Sequence, residues 1–151
     1  MNLTTEQNEL LTRALKWQRV GSSVTCDPVP HTCDFDYLIL LAASKVTMFC
    51  DDMQSLGFDI ELGAGYAANC LKDQLNADAF NSYRADDVNF IITCSHDFYH
   101  KFVVATDLAK RFNLLKKSDR IALFQGVLYH NRPLPDLPPL PMFKPAPVDS
   151  N

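Results

Sequence analysis

Two aspartates one residue apart, Asp34 and Asp36, stand at the head of the apolar run FDYLILL. In an extended strand alternate side chains share a face, so the two carboxylates point one way while Phe35 and Tyr37 point the other. Like charges on one face repel unless a cation lies between them, and hard carboxylate oxygens are the ligands magnesium prefers. Upstream lies Gly21-Ser22-Ser23. Glycine there lets backbone approach a ligand closely, and the serines add hydroxyl donors. An isolated D-x-D is more often a solvated strand end. The turn before it is what favours a metal site at Asp34 and Asp36.

The elements that must position these residues can be read from periodicity. Thr4 or Thr5 caps a helix with Leu10, Leu11, Ala14 and Leu15 at helical spacing, followed by a short strand over Trp17–Val20. Asp27, Pro28, Val29 and Pro30 keep the next segment irregular. Phe35–Leu41 is apolar on both faces after Asp36, which predicts a central strand covered on both sides. A helix is expected over Ala43–Leu56, ended by Gly57, then a short strand over Phe58–Leu62 and a helix over Tyr66–Leu75. Phe80–Arg84 and Val88–Thr93 read as two strands joined by a tight Ala-Asp-Asp connection. Ser95 caps a helix to about Phe112, and Ser118 caps another to about Tyr129. The stretch from Arg132 to Asn151 holds seven of the chain's nine prolines and should be extended, as a strap or a tail.

With 151 residues, 47% hydrophobic and 21% charged, the chain is expected to fold as one domain with a proper core. A net charge of -4 argues against coating nucleic acid by charge alone, while leaving room for a local basic patch. No apolar run approaches membrane-span length and the N-terminus is polar, so a cytoplasmic protein without membrane contact is expected. Five cysteines without a C-x-x-C pair suggest reduced thiols, and Cys26, His31, Cys33, Cys94 and His96 match no familiar zinc spacing. Lys110, Arg111, Lys116, Lys117 and Arg120 cluster between the last two helices, where they can neutralise phosphates or complement helix dipoles. Arg120 stands near a helix start, a poor place for a cation unless something anionic is near.

Val20-Gly21-Ser22, a gap of eleven residues, and Asp34-Phe35-Asp36 at a strand start together resemble the signature of the polymerase-β-type nucleotidyltransferase superfamily. The likeness covers roughly residues 5 to 95. The later segments VNFIIT and ATDLAKRFNLLKKSDRIALFQGVLY are similar to the second half of small proteins of this kind encoded by tailed phages. The resemblance implies an α+β fold: a small mixed β-sheet flanked by helices, with the core over about 5–95, C-terminal helices over about 95–130, and a Pro-rich extended tail over 132–151. It implies magnesium at Asp34 and Asp36, the phosphates of a nucleoside triphosphate at Gly21, Ser22 and Ser23 with Lys117 and Arg120 nearby, and transfer of a nucleoside monophosphate to an acceptor hydroxyl on a protein, nucleic acid or small molecule. It implies host cytoplasm as the location. A third carboxylate is usual in a later strand, and the matching position holds Asn89, whose amide brings no negative charge. Asp87 shares the strand face of Asn89, and a bulge at the Ala-Asp-Asp turn could bring it to the site as a substitute. The alternative is a catalytically degenerate fold of this type that binds a nucleotide or a host protein.

Overall fold

The computed structural model describes residues 3–61 and 80–128. The helix expected over Tyr66–Leu75 and the Pro-rich stretch lie outside them. Helix α1 (Thr5–Thr12) leads into strand β1 (Lys16–Val20), a one-turn helix α2 (Ser22–Thr25) and strand β2 (Phe35–Leu40). A 3-10 turn (Ala43–Lys45) opens helix α3 (Val46–Ser55); strands β3 (Asp59–Glu61), β4 (Phe80–Ala85) and β5 (Val88–Thr93) follow, then helices α4 (His96–Arg111) and α5 (Lys117–Leu128). The architecture is α+β: a five-stranded mixed sheet of order β1-β2-β5-β4-β3 with helices against it, ending in two C-terminal helices.

Local sequence accounts for most of these boundaries. Thr4 caps α1 through a capping box in which Thr4 Oγ1 accepts from Gln7 N at 3.1 Å while Gln7 Oε1 accepts from Thr4 N at 3.0 Å. Ser95 caps α4 by accepting from Phe98 N at 3.0 Å. Gly57, at φ 88, ends the turn after α3. Two expectations are corrected. Ser118 does not cap α5: Arg120 N already bonds the carbonyl of Lys116 at 3.2 Å, so the helix starts two residues earlier than expected, at Lys117. The segment after Gly21 is helical over Ser22–Thr25, with Gly21 as its N-cap residue and with Thr25 N and Val24 N both donating to Gly21 O at 3.0 Å.

The sheet divides the core in two. On one face Tyr37, Ile39, Phe90 and Ile92 meet Phe49, Met53 and Phe58, with Phe58 stacked on Phe90 at 4.8 Å between centroids. On the other face Val20, Leu38, Leu40, Phe80 and Ile91 meet the apolar stripe of α4, whose Phe98, Phe102, Ala105 and Ala109 recur at helical spacing. Phe98 stacks on Phe80 at 5.1 Å and Phe102 meets Phe124 of α5 edge-on at 4.9 Å. Each such fully buried side chain contributes roughly 1.5–3 kcal/mol. Strand β2 pairs antiparallel with β1 and parallel with β5, and its last four residues are buried. It is the interior strand that its apolar run predicts.

The first core carries a pH dependence. Burial pushes the Cys50 thiol above the ordinary value of 9.0; the neighbouring Asp51 charge adds to this and a hydrogen bond with Tyr83 opposes it. Burial and the neighbouring Cys50 raise Cys94 in the same direction. An acid whose folded pKa is raised contributes stability that is complete below its unfolded value and is lost as pH rises through the folded one. The melting temperature should therefore fall as pH climbs above about 9. A Cys50→Ala/Cys94→Ala variant should show a shallower alkaline fall, and an identical profile would remove these thiols as its cause.

Candidate functional site: a cleft over the D-x-D strand

A cleft of about 420 Å³ opens where the ends of β2, β4 and β5 meet α2 and the start of α5. Gly21, Ser22, Asp34, Asp36, Asn89, Lys117 and Arg120 all line it, so residues spread over a hundred positions of sequence converge there. Phe102, Ile121 and Phe124 form its apolar roof. The register explains the convergence. Asp36 lies directly opposite Asn89 in the parallel β2/β5 pair, and Asn89 lies opposite Arg84 in the antiparallel β4/β5 pair, which places all three side chains on one face.

Gly21 sits beneath the carboxylate of Asp36. Its φ of 79 and ψ of -175 belong to a region that L side chains rarely adopt, and a Cβ there would fall on Asp36 Oδ2. The close approach of backbone expected of this glycine is therefore an approach to the second aspartate.

Asp34 is held in a bidentate ion pair: Arg84 Nη1 donates to Oδ1 at 2.7 Å and Nη2 to Oδ2 at 2.8 Å. Both partners are about one-third exposed, at 34% and 38%, so solvent screening keeps the stabilising effect to the range of roughly 1 kcal/mol. The pair also places a guanidinium against both oxygens of one carboxylate, which neutralises its charge inside the site. Asn89 is oriented with equal definition. Its Oδ1 accepts from the Ser82 hydroxyl at 2.7 Å, so its amide group turns to Asp36 and Nδ2 donates to Oδ1 at 3.1 Å. Asn89 thus presents N–H to Asp36 instead of a lone pair to a cation.

The magnesium implied by the D-x-D can be tested against this donor set. The resemblance implies a two-ion centre built on carboxylates from three strand positions. Here each Asp34 oxygen accepts one bond from Arg84, and Asn89 offers an N–H to Asp36. Among the described residues no group of three or more His, Cys, Asp or Glu side chains could hold a metal ion. The described donor set is one carboxylate short of that arrangement.

Two sequence candidates lie elsewhere. Ser23 does not line the cleft; its hydroxyl accepts from Arg19 Nη2 at 3.1 Å, and the Arg19 guanidinium also covers the Phe35 ring at 5.5 Å. Asp87 does not line it either. The β4/β5 register runs unbroken to Ala85 opposite Val88, so no bulge carries Asp87 inward; it occupies a two-residue turn after Asp86 (φ 53), and its carbonyl accepts from Phe35 N at 2.7 Å. Arg84 and Ser82 escaped sequence reasoning. Counting back from the two-residue turn puts Arg84 opposite Asn89, and that parity was the available signal.

Arg120 finds hydrogen-bond acceptors within the protein, though these acceptors are neutral. Its Nη1 donates to the carbonyls of Leu114 at 2.9 Å and Leu115 at 2.8 Å and reaches Cys26 Sγ at 3.3 Å. Beside it, Asn113 (φ 47) accepts from Asp27 N and donates to Asp27 O, both at 2.9 Å. These contacts tie the loop before β2 to the α4–α5 connection. Asn113→Ala should cost roughly 1–2 kcal/mol by removing both bonds. Denaturant unfolding checks this, and a loss under about 0.3 kcal/mol would show that the tie is not needed.

Among the described residues five charged side chains line the cleft: Asp34 and Asp36 against Arg84, Lys117 and Arg120, a formal balance of +1. Compared with protein families, with curated proteins and with solved structures, the chain matches none of them. Function has to be argued from the cleft itself.

Proposed function

We propose that the cleft binds the polyphosphate of a nucleoside triphosphate and holds it without turnover, on a scaffold of the nucleotidyltransferase type whose carboxylates are committed to protein partners. The observation that carries this reading is the bidentate Arg84–Asp34 pair. Arginine performs internally the neutralisation that a divalent ion would otherwise supply, and leaves the cleft with one net positive charge. Ser22 and Gly21 line the cleft together with Lys117 and Arg120, which brings a hydroxyl, backbone and two cations to one site, groups that bind phosphate oxygens. The product of this activity is a complex, through which the protein sequesters a nucleotide or presents it to a host protein.

The competing reading is metal-dependent transfer of a nucleoside monophosphate to an acceptor hydroxyl. It is favoured by the register that sets Asn89 against Asp36 and Asp36 over Gly21, an arrangement a transferase site would share. The two readings separate in one experiment. The full chain is incubated with each of the four nucleoside triphosphates, labelled at the α-phosphate, with magnesium and with host lysate as acceptor source. Binding without turnover returns the label as intact triphosphate after unfolding the protein. Pyrophosphate release with label on an acceptor would overturn the proposal in favour of transfer.

A further inference from the structure

Five of the chain's fourteen lysines and arginines fall between Lys110 and Arg120, in a protein whose net charge is -4. Four of them, Lys110, Arg111, Lys116 and Lys117, are exposed, and they flank Phe112, which is 64% exposed, and Leu115, which is 52% exposed. Lys110 and Arg111 close α4 and are accounted for by its dipole. Lys116 and Lys117 are not, because they stand where α5 begins, the end at which a helix disfavours cations. An aromatic ring left in water among cations is equally unexplained by folding, since Leu114 alone anchors this connection to the core. The backbone beneath the patch is held in place by the Asn113–Asp27 bonds and by Arg120 on the carbonyls of Leu114 and Leu115.

We propose that the α4–α5 connection is a docking surface for single-stranded nucleic acid, with Phe112 as the platform on which a base stacks and Lys110, Arg111, Lys116 and Lys117 as its phosphate contacts. Charge complementarity selects a polyanion, and the exposed ring selects one with free π-faces, which an unpaired strand has and a duplex hides. The surface borders the cleft through Lys117, so a strand bound there runs past the mouth of the nucleotide site. The proposal does not rest on the nucleotide reading of that site.

The test is fluorescence anisotropy of labelled oligothymidylate and oligouridylate, each of about 20 nucleotides, with the full chain over a salt series. Four phosphate contacts predict a log–log salt slope of about -2.8 for a single strand. Phe112→Ala should weaken binding about tenfold while leaving the slope unchanged. Lys110→Glu/Lys116→Glu should reduce the slope by about half. None of these three side chains lines the cleft, so both variants should keep the nucleotide-induced thermal shift of the parent, which separates failure of this surface from failure of the nucleotide site. An affinity unchanged in Phe112→Ala, a duplex bound as tightly as the single strand, or poly-glutamate competing as well as the oligonucleotide would each overturn the proposal. So would the absence of binding at low salt.

Discussion

Gly21→Ala should destabilise the protein by about 3 kcal/mol or more and abolish nucleotide binding. The backbone at this position lies in a region populated essentially by glycine, and forcing an L side chain into it costs on the order of 1–3 kcal/mol. The added Cβ would also land on Asp36 Oδ2, so either the carboxylate leaves Asn89 or the turn leaves the strand end. Both escapes dismantle the wall that carries Ser22. Thermal melts and nucleotide titration of the variant check the two halves separately. A variant that melts like the parent would show that the turn relaxes freely and that its conformation is not what shapes the cleft.

The Arg84–Asp34 pair gives the second large effect, and its sign divides the two functional readings. Under the binding account Asp34 is a charge that Arg84 must cancel. Asp34→Asn therefore releases the guanidinium toward a phosphate, and metal-free affinity should rise, by up to about tenfold for one charge-assisted hydrogen bond gained. Arg84→Met uncovers the Asp34 carboxylate against the triphosphate, and metal-free affinity should fall by about tenfold to a hundredfold. Each variant should keep the fold, because the pair is one-third exposed and solvent-screened. Isothermal titration in EDTA reads both. Under the transfer account Asp34 is a metal ligand, and Asp34→Asn should weaken nucleotide binding instead. That opposite sign is the result to look for.

How far the sequence carried depended on the range of the interaction. The starts of α1 and α4 and the strand boundaries follow from nearest-neighbour chemistry: Thr4 with Gln7, Ser95 with Phe98, an apolar run in β2 and β-branched residues in β5. Those were legible, whereas α1 ends at Thr12, before the Ala14 and Leu15 expected in it. The interior position of β2 was legible too, since only a strand covered on both faces is apolar at every position after Asp36. Gly21, Ser22, Asp34, Asp36, Asn89, Lys117 and Arg120 were also expected at one site, and they line one cleft. The chemistry inside that cleft was not legible, because it is set by contacts between distant segments. Arg84 reaches Asp34 across 50 positions, and Ser82 turns the Asn89 amide through a diagonal contact between strands. Asp87 is not among the residues lining the cleft, because it lies in the turn between β4 and β5, which strand parity alone does not register. Arg120 lines the cleft as expected, and its second role was hidden: it also donates to the carbonyls of Leu114 and Leu115, and backbone acceptors leave no mark in a sequence of side chains. Ser118 shows the same competition in α5, where the carbonyl of Lys116 starts the helix ahead of the better capping residue.

The central claim is that arginine has taken the place of a metal ion in this cleft. Its most direct test is the nucleotide-induced thermal shift of the parent protein, measured for each nucleoside triphosphate once in EDTA and once in magnesium. Nucleotide at about a hundred times its dissociation constant should stabilise the fold by about 2.7 kcal/mol. The account predicts that this shift is present in EDTA and is not increased by magnesium. A shift that appears only with magnesium would contradict it and return Asp34 and Asp36 to the role of metal ligands.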